Sequence, residues 1–330
     1  MPELRRDPVI GRWVIVSADR ALRPVDMKGN GASESFSKEG PCVFCPGNER
    51  YTPREIMALR PSGGGWRARV VPNKFPALMV EGDLGKRGDG LYDIMNGVGA
   101  HEVIIETPRH EISLTGLSED EVRDVLWLYK MRMLDLRNDP RLVFAMVFKN
   151  VGVRAGASQE HTHSQVIVTP IVPLRVQNEL ERCRAYFEYR DRCMLCDMVV
   201  QELSSGVRVV LETPNFVALE PFAARFPFET HILPKHHASH YERTEDGQLP
   251  ELARVLRSTL GRIERAVDCA SYNYLIHTSP LNVAPLAHYH WHFEIIPRII
   301  RTAGFEWGTG FYINPVPPEH AAQYLREVKV

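Results

Sequence analysis

Two Cys-x-x-Cys pairs, Cys42-Val-Phe-Cys45 and Cys193-Met-Leu-Cys196, constrain this chain of 330 residues more than any other feature. Each pair is followed by one distant histidine and then by a run of alternating histidines. These are His110 and His161-Thr-His163-Ser-Gln165 in the first half, and His237 and His288-Tyr-His290-Trp-His292 in the second. The spacing also agrees, because 51 residues separate His110 from His161 and 53 separate His237 from His290. This order and spacing predict an internal repeat.

Helix and strand signals between the motifs occur in the same order in both halves. Ser118 and Glu121 have the spacing of a capping box, which predicts a helix that ends before Pro140. A second helix is predicted over 250–267, and a charged helical segment near 176–192 joins the halves. Segments 142–148, 165–172 and 272–276 are rich in β-branched and aromatic residues and predict strands, with the motif histidines on them. We therefore predict an α+β fold of two tandem repeats, 1–172 and 173–330, each with an antiparallel sheet and helices.

Cysteines and histidines in this pattern favour metal over disulfides, because four of the six cysteines are paired at metal-ligand spacing. Zinc prefers four thiolate or imidazole ligands in a tetrahedron, and four protein ligands make a closed, structural site. The predicted sites are Cys42, Cys45, His110 and His161, and Cys193, Cys196, His237 and His290. Reduced thiols without metal are the alternative, and iron is an alternative to zinc at the second site. Other histidines compete for that site: His236, His240, His277, His288 and His292.

His163 is the predicted nucleophile. Alternate residues of a strand share a face, so His161, His163 and Gln165 are expected on one side about 6 to 7 Å apart. If His161 binds zinc, His163 remains as a neutral imidazole that can attack phosphorus, provided that a backbone carbonyl fixes its tautomer. Gln165 can donate a hydrogen bond to a nonbridging phosphate oxygen. The alternative is a strand whose polar residues merely face solvent.

Composition excludes several classes of partner. Forty basic and 41 acidic residues give a net charge of -1, so the chain lacks the basic surface typical of nucleic-acid binding. The sequence also lacks a signal peptide and the roughly 20 consecutive apolar residues of a membrane span, which predicts a cytoplasmic protein. Any anion must therefore be bound locally. Arg20 and Arg23 are candidates to clamp a diphosphate, or alternatively solvated surface charges.

Over nearly its whole length the sequence resembles the galactose-1-phosphate uridylyltransferase family of the HIT-like superfamily. The resemblance rests on the metal and histidine motifs described above and on further segments. These are Gly11-Arg-Trp-Val-Ile-Val-Ser17, Arg20-Ala-Leu-Arg-Pro24, Phe148-Lys-Asn150, Phe226-Pro-Phe-Glu229, Pro234-Lys-His-His237 and Gly304-Phe-Glu-Trp-Gly-Thr-Gly310. The family implies a HIT-like fold and a homodimer. Its substrates are a nucleoside-diphosphate sugar and a hexose 1-phosphate.

The resemblance implies a role for each matching residue. His163 would take a uridylyl group from UDP-glucose, release glucose 1-phosphate and pass the group to galactose 1-phosphate. Gln165 would stabilise the nucleotidyl-histidine, while Asn73 would contact the nucleoside. Asn150 and Ser158 would contact phosphate, and the family's counterparts of Arg20 and Arg23 reach the phosphates across a dimer interface. In the second half, His292 would be a non-reacting counterpart of His163, and Glu294 takes the place of Gln165.

Two departures from the family pattern keep a second reaction open. Asn73 is followed by Lys74 where uridylyltransferases often have aspartate, and the segment 304–310 lacks the lysine and Tyr-Glu that several of them set against the hexose. The Gly-Phe-Glu-x-Gly-Thr-Gly form is similar to that of a plant-type relative, ADP-glucose phosphorylase, which transfers adenylyl to inorganic phosphate. A zinc-stapled nucleotide-binding module without turnover is the third alternative.

Overall fold

The computed structural model describes residues 2–17, 40–111, 113–267 and 271–330. Its strands are β1 (Glu3–Arg6), β2 (Trp13–Val16), β3 (Met57–Leu59), β4 (Ala68–Pro72), β5 (Arg87–Asp89), β6 (Tyr92–Ile94), β7 (Ala100–Ile105), β8 (Phe144–Val151), β9 (His163–Thr169), β10 (Val209–Glu212), β11 (Phe216–Leu219), β12 (Thr230–Pro234), β13 (Tyr272–His277), β14 (His292–Pro297) and β15 (Tyr312–Asn314). The α-helices are α1 (Glu119–Leu136), α2 (Leu174–Arg190), α3 (Met194–Ser205), α4 (Leu249–Val267), α5 (Gly304–Thr309) and α6 (Pro318–Glu327).

A ten-stranded sheet contains both halves of the repeat. Its order is β10-β11-β12-β14-β13-β8-β9-β7-β4-β3, and every neighbouring pair is antiparallel. The first-half strands β3-β4-β7-β9-β8 follow the same order as the second-half strands β10-β11-β12-β14-β13. The halves meet where β8 pairs with β13, with Asn150 opposite Asn273. The predicted α+β fold and internal repeat are therefore confirmed.

Helices α1 and α4 occupy equivalent positions in the two halves and pack against each other. Ser118 caps α1 in a complete capping box with Glu121, as the sequence predicts. The buried face of α1 carries the predicted apolar residues at helical spacing: Val122, Val125, Leu126, Tyr129 and Met133. These side chains join one large core with the sheet and with α4. Helices α1 and α4 thus cover one face of the sheet, while α2 and α3 pack on part of the opposite face, which also carries the motif residues.

Three of the motif histidines, His161, His288 and His290, lie before a strand and not on it. Thr162 N–H donates to the carbonyl of Glu111 at 2.6 Å, and Trp291 N–H donates to the carbonyl of Ala238 at 2.8 Å. The backbone beside His161 and His290 is therefore bonded to the loops that carry His110 and His237. The expectation that all motif histidines lie on strands is wrong for His161, His288 and His290, and equivalent hydrogen bonds explain the positions of His161 and His290.

Helix α2 confirms the predicted charged helical segment, although it begins at Leu174. The division at residue 172 remains a prediction, and it falls in the connection between β9 and α2. Among the described residues, none of the helices is long and apolar enough to cross a bilayer. A small sheet of β1, β2 and β15 and the hairpin of β5 and β6 complete the fold.

Candidate active site and metal centres

Each half brings two cysteines and two histidines together. In the first half, Cys45 Sγ lies 3.4 Å from His110 Nδ1 and 3.6 Å from His161 Nδ1, and Cys42 Sγ lies 3.5 Å from His161 Nδ1. In the second half, Cys196 Sγ lies 3.4 Å from Nδ1 of both histidines, His237 and His290. Within each group all four ligand atoms lie within 4.8 Å of one another. The two groups are the ones that the repeated spacing predicts.

These distances fit a tetrahedral zinc ion. With Zn–S near 2.3 Å and Zn–N near 2.0 Å, tetrahedral geometry separates sulfur from nitrogen by about 3.5 Å. The outer imidazole nitrogens also suit metal binding. His161 Nε2–H donates to the carbonyl of Thr107 at 2.8 Å, and His237 Nε2–H donates to that of Leu286 at 3.0 Å. Such bonds fix the tautomer that leaves Nδ1 free to bind a metal.

The histidines that compete in the sequence for the second site have other surroundings. His277 and His292 group with Glu179 instead. His240 contacts Ser239 and the carbonyl of Pro280, while His236 is exposed. The backbone carbonyl of His288 lies 3.8 Å from Cys193 Sγ, and the His288 imidazole is not in the group of four. Metal binding by the group of Cys193, Cys196, His237 and His290 stays a prediction that this geometry favours.

His163 has the geometry of a histidine nucleophile. Its Nδ1–H donates to the carbonyl of His161 at 2.8 Å, which leaves the Nε2 lone pair free. The ring packs against Phe44 of the first Cys-x-x-Cys turn, with 5.2 Å between ring centroids. Burial, together with the nearby charge of Lys149, lowers the pKa of His163 to about 4. The imidazole is therefore neutral, as in-line attack on phosphorus requires.

A buried ion pair supports His163, the predicted nucleophile, from the sheet face that α1 and α4 cover. Lys149 is fully buried, and its Nζ donates to Glu106 Oε2 at 2.6 Å, to Thr162 Oγ1 at 2.8 Å and to the carbonyl of His163 at 2.9 Å. Glu106 also accepts a hydrogen bond from Ser164 Oγ at 2.6 Å. Burial opposes ionisation of Glu106, but Lys149 outweighs it and lowers the pKa of the carboxyl. This network fixes the backbone on both sides of His163.

Gln165 and Asn73 meet beside His163. Gln165 lies two residues along β9 and therefore shares the face of His163. Its Oε1 accepts hydrogen bonds from Asn73 Nδ2 at 3.3 Å and from His101 Nε2 at 2.7 Å. The structure thus brings together the predicted nucleophile, the predicted phosphate ligand and the predicted nucleoside contact.

The other predicted substrate contacts are less closely grouped. Asn150 lies on β8 and shares its face with Phe148, which pairs with Gln165. The Asn150 amide oxygen accepts from Asn273 Nδ2 at 2.7 Å. Ser158 is exposed in the connection between β8 and β9. Arg20 and Arg23 lie outside the described residues.

The second half places charges where the first half has neutral groups. His277 lies between Glu179 and Glu294, 3.0 Å from each carboxylate, and stacks on His292 with 4.7 Å between ring centroids. Arg225 is buried and contacts Glu294 directly. His292 keeps the ring geometry of His163, because its Nδ1–H donates to the carbonyl of His290 at 3.2 Å. Its neighbours, however, are charged side chains that form ion pairs with one another.

Four side chains at the site carry no role in the sequence analysis: Phe44, His101, Glu106 and Lys149. Lys149 has a recognisable signal, because a charged residue inside the apolar strand β8 needs a buried partner. Glu106 has none, since it meets Lys149 only through the positions of β7 and β8 on either side of β9. His101 could have been found as one of two adjacent polar residues, with Glu102, at the start of β7.

Comparison with known proteins identifies the class. The family described as "Galactose-1-phosphate uridyl transferase, N-terminal domain" matches residues 1–173, and its C-terminal domain counterpart matches residues 179–315. The chain therefore belongs to the galactose-1-phosphate uridyl transferase family and is a nucleotidyltransferase.

Two relatives and two solved structures show how similar the chain is to individual proteins of known name. An ADP-glucose phosphorylase of Arabidopsis thaliana is 39% identical over 333 residues, covering 100% of this chain and 93% of the relative. A galactose-1-phosphate uridylyltransferase of Thermotoga maritima is 29% identical over 339 residues, covering 100% and 99%. The crystal structure of an Arabidopsis thaliana ADP-glucose phosphorylase with bound ADP-glucose superposes with a TM-score of 0.86, at 36% identity and full coverage of both chains. A uridylyltransferase structure gives a TM-score of 0.78 at 27% identity, covering 99% of this chain and 97% of the other.

Proposed function

We propose that this protein transfers an adenylyl group from ADP-glucose to inorganic phosphate through a covalent intermediate on His163. The observation that carries the choice of substrates is the similarity to the Arabidopsis ADP-glucose phosphorylase, 39% against 29% for the Thermotoga uridylyltransferase, both over the whole chain. The resemblance of segment 304–310 to a plant-type ADP-glucose phosphorylase agrees with this choice, and residues 304–309 form α5.

The geometry of His163 supports a two-step reaction. Its Nε2 lone pair attacks the α-phosphorus, a nitrogen–phosphorus bond forms, and the bridging oxygen leaves with glucose 1-phosphate. An oxygen of inorganic phosphate then attacks the same phosphorus and displaces His163, which gives ADP. Since the Nδ1–H bond to the His161 carbonyl orients the ring in both steps, the imidazole needs no rearrangement between them.

The surrounding residues have separate roles in this proposal. Gln165 donates from its amide nitrogen to a nonbridging oxygen of the transferred phosphate, and Asn73 contacts the nucleoside beside it. Asn150 and Ser158 bind phosphate oxygens. We also propose that the protein is a cytoplasmic homodimer in which Arg20 and Arg23 reach the phosphates across the interface.

The two Cys–His groups would each hold a structural zinc ion. A closed four-ligand site supplies cross-linking and no water activation. In the first half, zinc would bind Cys42, Cys45, His110 and His161 and so hold the carbonyl that orients His163. In the second half it would bind Cys193, Cys196, His237 and His290. The sulfur–nitrogen distances support zinc in both places.

Uridylyl transfer from UDP-glucose to galactose 1-phosphate is the second candidate, and the family name and the Thermotoga relative favour it. Both reactions use the same nucleophile and differ in the base and the acceptor. The uridylyltransferase reaction predicted from the sequence therefore remains a candidate, and we rank the phosphorylase reaction ahead of it.

Intact-protein mass spectrometry tests the proposal. The protein is incubated with ADP-glucose or UDP-glucose without acceptor, at mildly alkaline pH, which preserves a phosphoramidate. We expect an adenylyl adduct that phosphate discharges as ADP and that His163→Ala abolishes. A uridylyl adduct discharged by galactose 1-phosphate would move the assignment to the second candidate. No adduct with either donor would contradict the covalent mechanism and favour the non-catalytic nucleotide-binding module.

A further inference from the structure

A chain of hydrogen bonds connects the loop after β4 to the amide of Gln165 through His101. His101 lies on β7, which pairs with the nucleophile strand β9. Its Nε2 is 2.7 Å from Gln165 Oε1, and its Nδ1 accepts a hydrogen bond from Ala77 N–H at 3.1 Å. Asn73, at the start of the same loop, donates to the same Gln165 oxygen.

The backbone of this loop determines the tautomer of His101. Because Ala77 N–H can only donate, Nδ1 of His101 must carry the lone pair. A neutral imidazole then carries its proton on Nε2, and that N–H points at Gln165. The group 2.7 Å away must therefore be an acceptor, which is the amide oxygen of Gln165.

A second backbone group gives the same orientation independently. Asn73 Oδ1 accepts from Phe75 N–H at 2.9 Å, so the Asn73 amide nitrogen must face Gln165. That nitrogen also needs an acceptor and finds the same oxygen. Nδ2 of Asn73 and Nε2 of His101 lie 3.0 Å apart because both donate to it. Two independent backbone donors thus determine which way the Gln165 amide points.

The orientation matters for a phosphate. With Oε1 held by His101 and Asn73, the NH₂ group of Gln165 points away from the loop and can donate to an anion. The reversed amide would present an oxygen lone pair to the phosphate and repel it. An amide is pseudo-symmetric in shape, so only the hydrogen-bond pattern separates the two orientations.

From this arrangement we propose that His101 is a positioning residue for nucleotidyl transfer, which holds Gln165 with its amide nitrogen toward the transferred phosphate. The proposal rests on the proposed function of His163 and Gln165 and adds a residue with no assigned role. It also links the loop 73–77, the predicted nucleoside contact, to the group that stabilises transfer. Binding of the nucleoside to this loop and stabilisation of the phosphate then depend on one hydrogen-bond chain.

Two conservative variants separate the two hydrogen bonds of His101. The amide nitrogen of glutamine reaches the position of Nε2, so His101→Gln keeps the donor to Gln165. The amide oxygen of asparagine reaches the position of Nδ1, so His101→Asn keeps the acceptor for Ala77 but loses the donor. We expect His101→Asn to lower kcat about tenfold or more with little change in KM for the nucleotide sugar, because Gln165 acts on the transition state. His101→Gln should retain most of kcat, and equal losses in the two variants would overturn the proposal.

A double-mutant cycle tests whether His101 acts through Gln165. In a Gln165→Ala background, His101→Asn should change the rate of adduct formation by less than about twofold, because the group that it positions is gone. An undiminished loss in that background would show that His101 acts by another route. The exposed His320 provides a control, since His320→Asn should alter neither background. Thermal unfolding of each variant separates loss of structure from loss of positioning.

The tautomer offers a readout that needs no turnover. In protein labelled with ¹⁵N-histidine, the signals of His101 are assigned by their loss in His101→Gln. We expect a neutral ring with the proton on Nε2 and the lone pair on Nδ1, and a proton on Nδ1 would contradict the proposal. If the wild-type protein formed no adduct with either donor, the proposed function would fail, and this spectrum would still decide the orientation of His101.

Discussion

The two halves of this molecule share a backbone and differ in the charges on one sheet face. Both carry a histidine whose Nδ1–H is bonded to the carbonyl two residues earlier, His163 in the first half and His292 in the second. Two residues further on, the first half has the neutral Gln165 and the second has the carboxylate of Glu294. A phosphate can approach an amide donor, whereas a carboxylate would repel it. Ring geometry is therefore common to both halves, whereas the neighbouring charge favours the approach of a phosphate only in the first.

Strand register extends the comparison to the neighbouring positions. Phe148 lies opposite Gln165 and Leu275 lies opposite Glu294, so the next residues, Lys149 and Ile276, are equivalent. Lys149 donates to the backbone carbonyl of His163, while Ile276 belongs to the apolar core. The first half thus has a buried charge at a position where the fold accepts an aliphatic side chain. This suggests that the ion pair serves the site more than the fold.

Activity should depend strongly on His163 and hardly at all on His292. His163→Ala should lower nucleotidyl transfer by about 10⁴-fold or more, because a covalent nucleophile has no substitute. His292→Ala should leave the rate near that of the wild type, since Glu294 takes the place of Gln165 and its carboxylate would repel a phosphate. Steady-state turnover and adduct formation measure both. Comparable losses of activity in the two variants would contradict the proposed difference between the halves.

The buried ion pair gives the next effect. Lys149→Met leaves Glu106 charged and unpaired in the core, which should destabilise the fold by about 3 to 5 kcal/mol. Adding Glu106→Gln should recover much of that loss. Ile276→Val is the matched change in the second half and should cost about 0.5 to 1.5 kcal/mol. Urea unfolding measures all four proteins, and a double variant as unstable as Lys149→Met would refute this account of the pair.

The metal sites should differ in their effect on activity. Cys45→Ser and Cys196→Ser should each remove one bound metal ion per chain, as measured by elemental analysis. Cys45→Ser should also lower activity about 10- to 100-fold, because the same site holds the carbonyl that orients His163. Cys196→Ser should mainly lower thermal stability. Equal activity losses would mean that the second site supports catalysis as well.

The buried Glu220 of the second half should have a smaller effect, which is a change in the pH dependence of stability. Strand register places it at the position of Pro72 in the first half. Burial raises the pKa of Glu220 well above its usual value, despite a hydrogen bond from Thr230. The folded state thus holds a proton that the unfolded chain releases, so stability should fall as pH rises above the ordinary glutamate range. Glu220→Gln should flatten this decline in a series of melting temperatures, and an unchanged slope would assign the decline to other groups.

The sequence predicts the repeat, the α1 helix and both Cys–His groups because each depends on local spacing or on a pattern that occurs twice. The same pattern fails for His161 and His290, since the loops carrying Glu111 and Ala238 displace the strand pairing there. The ion pair of Lys149 and Glu106 cannot be read from the sequence, because the two residues are 43 positions apart and only the order of β8, β9 and β7 brings them together. The role of His101 depends on which loop atoms contact it, and strand prediction says nothing about those.

The molecule consists of two similar halves, which one continuous chain links covalently and which the central pairing of β8 with β13 joins into one sheet. Two separate copies joined edge to edge must keep the same sequence at both sites, whereas a single chain can vary each site on its own. The second half can therefore carry ion pairs in place of a reactive site and still pair through β13 with β8 of the first half. In a single chain, one half can support the sheet while the other half carries the residues proposed for catalysis.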